Sequence, residues 1–203
     1  PGMNSNEMYQ VSDFRPLTGQ HEKIIEKGED PKSSVRITYH GPTEYKAKED
    51  FALETLGEIL TIKLIEQLRE EEGGVYGVGA RGNISNMPYD WYSLNIRFPC
   101  GPENVEKLKN AALAEVEKIV ANGPTQKDLD KVKEAYLLDH KEDMKQNRYW
   151  LNTLKNADYL KKDVNKMMEY EKNVKALDIE YLHEVAKKYL SGDYIVGIHN
   201  PES

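Results

Sequence analysis

Apolar side chains recur at two different spacings along this chain, and the changes of spacing mark out its elements. Ile24 and Ile25 sit in an otherwise charged run, residues 21–27, which predicts a short edge strand ended by a turn over 28–31. Val35, Ile37 and Tyr39 alternate with Arg36, Thr38 and His40 up to Gly41 and Pro42, predicting a strand with one apolar and one polar face. Over residues 46–72 the period lengthens: Leu53, Leu56, Leu60, Leu64 and Leu68 recur at steps of three or four, with Ala52, Ile59 and Ile65 beside them. That spacing predicts one long amphipathic helix, stopped by Gly73 and Gly74. Residues 75–81 then read as a strand with Tyr76, Val78 and Ala80 on one side and Gly77 and Gly79 on the other. After a loop over 86–90, Tyr92, Leu94, Ile96 and Phe98 alternate with Ser93, Asn95 and Arg97 in the clearest strand of the chain.

Beyond Cys100 the period is helical almost to the end. Val105, Leu108, Ala112, Val116 and Ile119 form one stripe that stops at Asn122, Gly123 and Pro124. Thr125 is a natural N-cap for a helix carrying Leu129, Val132 and Tyr136. Further helices are expected over 148–161 and 164–172, and a last one begins after Asp178 and carries Leu182, Val185, Ala186 and Tyr189. Residues 194–198 supply a closing strand. The order β, β, α, β, β, several α, β is that of an α+β domain: a largely antiparallel sheet of hairpin-like neighbours with helices packed on one face. Residues 1–20 show no period and read as a lead-in, leaving 21–203 as a single domain.

Composition narrows the functions. Of 203 residues, 28 are Lys or Arg and 35 are Asp or Glu, a net charge of −7. No Lys/Arg-rich stripe runs along the chain, so it lacks the footprint of a nucleic-acid or anionic-membrane binder. No apolar run approaches the roughly 18 residues a membrane helix needs. A single cysteine, Cys100, excludes an internal disulfide and a multi-cysteine zinc site. The opening Pro1-Gly2-Met3 reads as the edge of something longer.

The five histidines are scattered. His183-Glu184-Val185-Ala186-Lys187 begins like a zinc peptidase motif, but the second imidazole is replaced by the cationic Lys187, which repels a metal ion. His183 therefore reads as structural, and Cys100 as a packed residue at a strand end. One segment stands apart: Leu68-Arg69-Glu70-Glu71-Glu72-Gly73-Gly74-Val75-Tyr76-Gly77-Val78-Gly79. Arg69 falls in the last helical turn, and after the Gly-Gly reversal Tyr76 falls near the start of the returning strand, so the two polar tips are placed to meet. A helix C-cap with a dipole-favoured Arg and a half-buried Tyr accounts for the same residues.

An Arg followed seven residues later by Tyr, in the frame L-R-E-x-x-G-x-x-Y, resembles the helix-to-strand junction in the C-terminal half of insulinase/pitrilysin-type (inverzincin) zinc peptidases. The strand and turn over 33–41, the Phe98-Pro99-Cys100-Gly101-Pro102 turn, Gly123-Pro124-Thr125 before Asp128 and Leu129, residues 147–150, and Pro201 after the last strand fit the same family in order and spacing. The likeness runs from about residue 18 to the end; Glu72 departs from it, standing where many relatives have an apolar residue. The resemblance implies a non-zinc-binding domain, the last of a larger metalloendopeptidase. Zinc, its water and the general base would come from an N-terminal half, in the same polypeptide or a partner subunit, and none from this chain. Carried over, Tyr76 would donate to the scissile carbonyl as it becomes an oxyanion, Arg69 would hold peptide carbonyls, and Gly77 and Gly79 would admit substrate backbone. Close packing of a helix on the strand accounts for the two glycines equally. A fragment of this kind is not expected to be active alone, and its parent fits a bacterial periplasm or cytoplasm. Two other readings stay open: a non-catalytic scaffold subunit of the same fold, and a peptide-binding module that uses an exposed sheet edge.

Overall fold

The computed structural model describes residues 14–71, 75, 77–159, 163 and 168–202, and for residues 69–71 the backbone alone. Its centre is a sheet of five strands: β1 (His21–Glu26), β2 (Ser33–Pro42), β3 (Gly79–Ser85), β4 (Trp91–Cys100) and β5 (Tyr194–Asn200), in the spatial order β1-β5-β2-β4-β3. β2 pairs antiparallel with β4 and with β5, and β3 with β4, while β1 runs parallel to β5. The α+β class and the largely antiparallel sheet are as the sequence predicts.

Strands that follow one another in sequence are not all neighbours: β1 and β2 are separated by β5. Burial explains the choice. Val196 and Ile198 of β5 are buried in that inner position, whereas all six residues of β1 are exposed. The more apolar strand takes the place with two neighbours, and the charged one takes the edge.

The helices are α1 (Ala47–Leu64), α2 (Val105–Asn122), α3 (Gln126–Asp143), α4 (Asn147–Tyr159), α5 (Tyr170–Lys175) and α6 (Ile179–Leu190). α1, α2 and α6 cover the apolar face of the sheet, where Val35, Ile37, Leu94, Ile96 and Phe98 meet Leu53, Leu56, Leu60 and Leu182, all completely buried. Each such side chain contributes about 1.5–3 kcal/mol of transfer free energy. The caps are those expected. The Asp128 N–H donates to the Thr125 hydroxyl oxygen at 3.2 Å, the Tyr181 N–H donates to the Asp178 carboxylate at 2.8 Å, and Gly123, with φ of 75°, ends α2 in a left-handed conformation.

One helical expectation is corrected, and a second lies partly outside the described residues. The long helix does not stay α-helical: from Ile65 to Glu71 it widens into a π-helix. Leu56, Leu60, Leu64 and Leu68 are four residues apart, and each such step drifts about 40° round an α-helix. The wider turn takes back part of that drift, and all four leucines are fully buried. The helix expected over 164–172 has its first residues, 164–167, outside the described part; the described helix is α5, which starts at Tyr170.

The N-terminal approach to β1 is tied down at two points. The Gly19 N–H donates to the Asp193 carboxylate at 2.6 Å, and the Arg15 guanidinium lies 3.6 Å from the centre of the Tyr89 ring. No helix among the described residues is long and apolar enough to cross a membrane.

Candidate functional site

The segment singled out in the sequence lies where the π-helical end of α1 gives way to the β3 edge of the sheet. Arg69 is in the π-helix, and its side chain is not among those described. Tyr76 falls outside the described residues, as do Glu72, Gly73 and Gly74. The expected meeting of the Arg69 and Tyr76 side chains therefore lies outside them too, and what the structure supplies is the frame on either side.

On the helical side the frame is held by buried Leu68 and by an ionic joint. The Lys63 ammonium is 3.2 Å from Glu66 and 3.1 Å from Asp128, and Lys131 is 3.7 Å from the other Glu66 oxygen. Asp128 is 1% exposed and also accepts from the Thr125 hydroxyl at 2.6 Å. Burial by itself would lower the Lys63 pKa, but hydrogen bonds and charge from Asp128 and Glu66 outweigh it and hold the ammonium form above its ordinary range. The joint pins the first turn of the π-helix to the N-terminus of α3.

On the strand side the expectation of a strand over 75–81 is corrected. Val75 makes one antiparallel bridge to Cys100, and regular pairing starts only at Gly79, opposite Arg97. Three residues separate Val75 from Gly79 while two separate Arg97 from Cys100, so the edge carries one residue more than its partner strand. Gly77 and Gly79 are exposed, and a β-carbon added to either would meet no described residue within 4 Å. The close helix-on-strand contact considered for them occurs elsewhere. A β-carbon on Gly82 would lie 2.3 Å from the Leu53 carbonyl oxygen, and one on Gly57 would lie 2.8 Å from the Gly82 nitrogen.

The other titratable candidates are held in structural contacts. Cys100 is buried, and burial, followed by the charge of Glu103, pushes its thiol pKa up, away from a nucleophilic thiolate. His183 Nε2 is 2.8 Å from the Val120 carbonyl, His21 Nε2 is 2.7 Å from the Thr18 carbonyl, and His140 packs against Tyr170 with ring centres 4.5 Å apart. His40 stacks on Trp91, and burial lowers its pKa. Among the described residues no group of three or more His, Cys, Asp or Glu could hold a metal ion, so their donor set does not fit a zinc site.

One feature was invisible along the chain. The expected lack of a Lys/Arg stripe holds for the linear sequence, yet the sheet register brings Lys23, Arg36 and Arg97 into one line from three strands. The signal was present in the polar half of the β2 and β4 alternations and in the charged run of β1, but only the pairing reveals it.

Comparison with known proteins places this frame. The E. coli periplasmic protease PqqL superposes with a TM-score of 0.81 at 19% identity, over 98% of this chain and 22% of that one. A protease from Helicobacter pylori superposes with a TM-score of 0.78 at 20% identity, over 98% of this chain and 49% of that one. At such identities these likenesses establish the fold. In sequence, a zinc protease PQQL-like protein of Arabidopsis thaliana is 33% identical over 104 residues, which are 49% of this chain and 11% of that protein. The chain thus spans a small part of the length of the relatives it matches. Residues 4–136, which include the whole of the helix-to-strand junction, match the family described as Peptidase M16 inactive domain. The chain belongs to the M16 peptidase family, as its inactive domain.

Proposed function

We propose that this domain serves a zinc-dependent peptidase by holding the peptide and steadying the oxyanion, while an N-terminal half, in the same polypeptide or a partner subunit, holds the metal. Residues 21–203 act as one unit in this reading, with 1–20 as its lead-in. Tyr76 donates its hydroxyl to the scissile carbonyl oxygen as negative charge develops there, and Arg69 donates to neighbouring peptide carbonyls. A fixed phenol is a neutral donor and a guanidinium a permanent multidonor cation, so both suit these tasks. Bound zinc would supply an activated water and a Lewis acid from the companion half.

The observation that carries the proposal is the strand side of the junction. An extra residue against β4 and two exposed glycines with no other described residue within 4 Å of an added β-carbon stand at the end of a firmly buried helix. An extra residue in an edge strand re-aims side chains and is common beside active sites, and open glycines let a peptide backbone approach. The E. coli relative is described as periplasmic, which favours that address for a bacterial parent.

The test is Tyr76→Phe in the complete zinc-containing parent. The ring stays and only the hydroxyl goes, so kcat is expected to fall about a hundredfold to a thousandfold, as for loss of one oxyanion donor. KM should move little, because the bond is strongest in the transition state. Arg69→Lys should raise KM as well, since an ammonium does not reproduce the planar fork. A kcat for Tyr76→Phe within about twofold of the parent, far below the oxyanion-donor range, would reject the assignment in favour of a scaffold domain. This chain alone is expected to show no peptidase activity, and chelator-sensitive hydrolysis by the pure chain would contradict the division of labour.

A further inference from the structure

The face of the sheet turned away from α1, α2 and α6 carries a row of side chains set by register alone. Lys23 pairs with Gly197, Gly197 with Arg36, Arg36 with Arg97, and Arg97 with Gly79, in one line across all five strands. The rows on either side add His21, Arg81 and His199, and none of the three rows has an Asp or Glu on this face. The acidic side chains of β1 point the other way: Glu22 pairs with Lys109 of α2 at 2.7 Å. In a chain with 35 acidic residues, these three rows carry none on this face.

Arg36 and Arg97 stand directly opposite each other, an arrangement of like charges that destabilises a sheet. Both are exposed, and neither they nor Lys23 make an ion pair or side-chain hydrogen bond with another described residue. Gly197 lies between Lys23 and Arg36, and a β-carbon there would meet no described residue within 4 Å, so the row has a trough in it. A shallow concavity of about 330 Å³ follows that trough, lined by Lys23, Ile25, Ser34, Arg36, Arg97 and His199 among others. The cations span three strand spacings, about 14 Å.

We infer that this open sheet face is a docking surface for a carboxylate-rich segment of a partner protein, gripped by Lys23, Arg36 and Arg97. Two guanidinium forks on adjacent strands match carboxylates presented side by side, because each fork takes a carboxylate with two parallel hydrogen bonds. The glycine trough lets the partner's backbone come down between Lys23 and Arg36. A patch this short does not track a nucleic-acid backbone, and the net charge of −7 repels one. This inference is independent of Arg69 and Tyr76.

The test uses the full chain, a dye-labelled glutamate-rich peptide, the same peptide with glutamine for glutamate, and an oligothymidylate of equal charge. The acidic peptide should bind at low salt and be released by added salt, and both controls should bind far more weakly. Arg36→Glu should weaken acidic-peptide binding about tenfold or more, while leaving the melting temperature unchanged or higher, because it sets a carboxylate opposite Arg97. Arg97→Gln should also weaken binding, and Arg36→Lys should weaken it less than Arg36→Glu, since an ammonium keeps the charge but not the planar fork. The inference is overturned if the acidic peptide does not bind, if Arg36→Glu and Arg97→Gln bind it as well as the parent, or if oligothymidylate binds as tightly. A dimer in sedimentation that Arg36→Glu dissociates, with no peptide binding, would assign the face to a second copy and overturn it equally.

Discussion

Gly82 packs against the Leu53 carbonyl, and Gly57 against the Gly82 nitrogen, so backbone meets backbone where α1 crosses β3. Gly82→Ala is expected to cost about 1–3 kcal/mol or more, because the clash is with main chain that cannot swing aside. The measurement is the urea midpoint at unchanged slope, and an unshifted midpoint would mean the two elements can slide apart freely. Glu49 gives a pH-dependent counterpart. Burial tends to raise its pKa, but the Lys188 ammonium at 2.6 Å and the hydroxyl donated by Tyr189 outweigh that and hold it below the usual range. With the folded pKa below the unfolded one, Glu49 contributes stability above the ordinary glutamate range and loses it as pH falls through the folded value. Glu49→Gln should therefore destabilise by about 1–3 kcal/mol at neutral pH and flatten the acid limb of the stability curve. Parallel acid limbs in the two proteins would show that Glu49 is not the group responsible. At this scale the sequence was a poor guide: it pointed to Gly77 and Gly79 for the close contact and missed Gly57 and Gly82. Glycine spacing carries no record of which helix passes over which strand.

Between elements, the joint that positions the junction is Lys63 with Glu66 and Asp128. Asp128 is nearly buried and keeps its Thr125 partner whatever happens to Lys63, so Lys63→Met removes a charge partner without emptying the cap. Lys63 itself is 25% exposed in its side chain, which places the expected loss at about 1–3 kcal/mol, below the range for a fully buried pair. Thr125→Ala, which removes the cap, should cost a comparable ~1 kcal/mol, and because both act on Asp128 the double variant should fall short of the sum. Additive losses in urea melts would separate the cap from the ion pair and weaken the case that one joint fixes the start of the π-helix. The elements themselves were legible wherever a period persisted, as in β2, β4, α2 and α6. The π-helix was not, because its residues keep the same spacing of leucines as the α-helix before it. The start of β3 was misplaced for a related reason: Tyr76-Gly77-Val78-Gly79-Ala80 alternates as a strand does, but the bridge at Val75 and the first regular pair at Gly79 differ in register by one residue.

Across the whole molecule, the order of the sheet sets where stability is concentrated. β2 is hydrogen-bonded on both sides, to β4 and to β5, and Val35 and Ile37 on it are fully buried beneath the helices. β1 has one neighbour, β5, and six exposed residues. The sequence showed both as strands, and the charged run of β1 marked it as an edge, but parallel pairing with the last strand of the chain is a long-range choice that no local pattern encodes. Local opening free energies range from near zero at weakly packed edges to the global value in the core, and exchange of backbone amides reads that range directly. Slowest exchange is expected for the inward-facing residues of β2 and β4 and for Leu53 to Leu60 of α1, all near the global limit. The amides of β1 should exchange faster by a factor of about a hundred or more, which corresponds to ~3 kcal/mol less protection at about 1.4 kcal/mol per tenfold. Cutting the Gly19 to Asp193 contact with Asp193→Ala, which leaves the Gly19 N–H no side-chain acceptor, should speed β1 further while leaving β2 unchanged, since that contact ties down the approach to the edge strand. If β1 instead exchanges as slowly as β2, the edge is not open in solution, and the sheet order would no longer explain the distribution of stability.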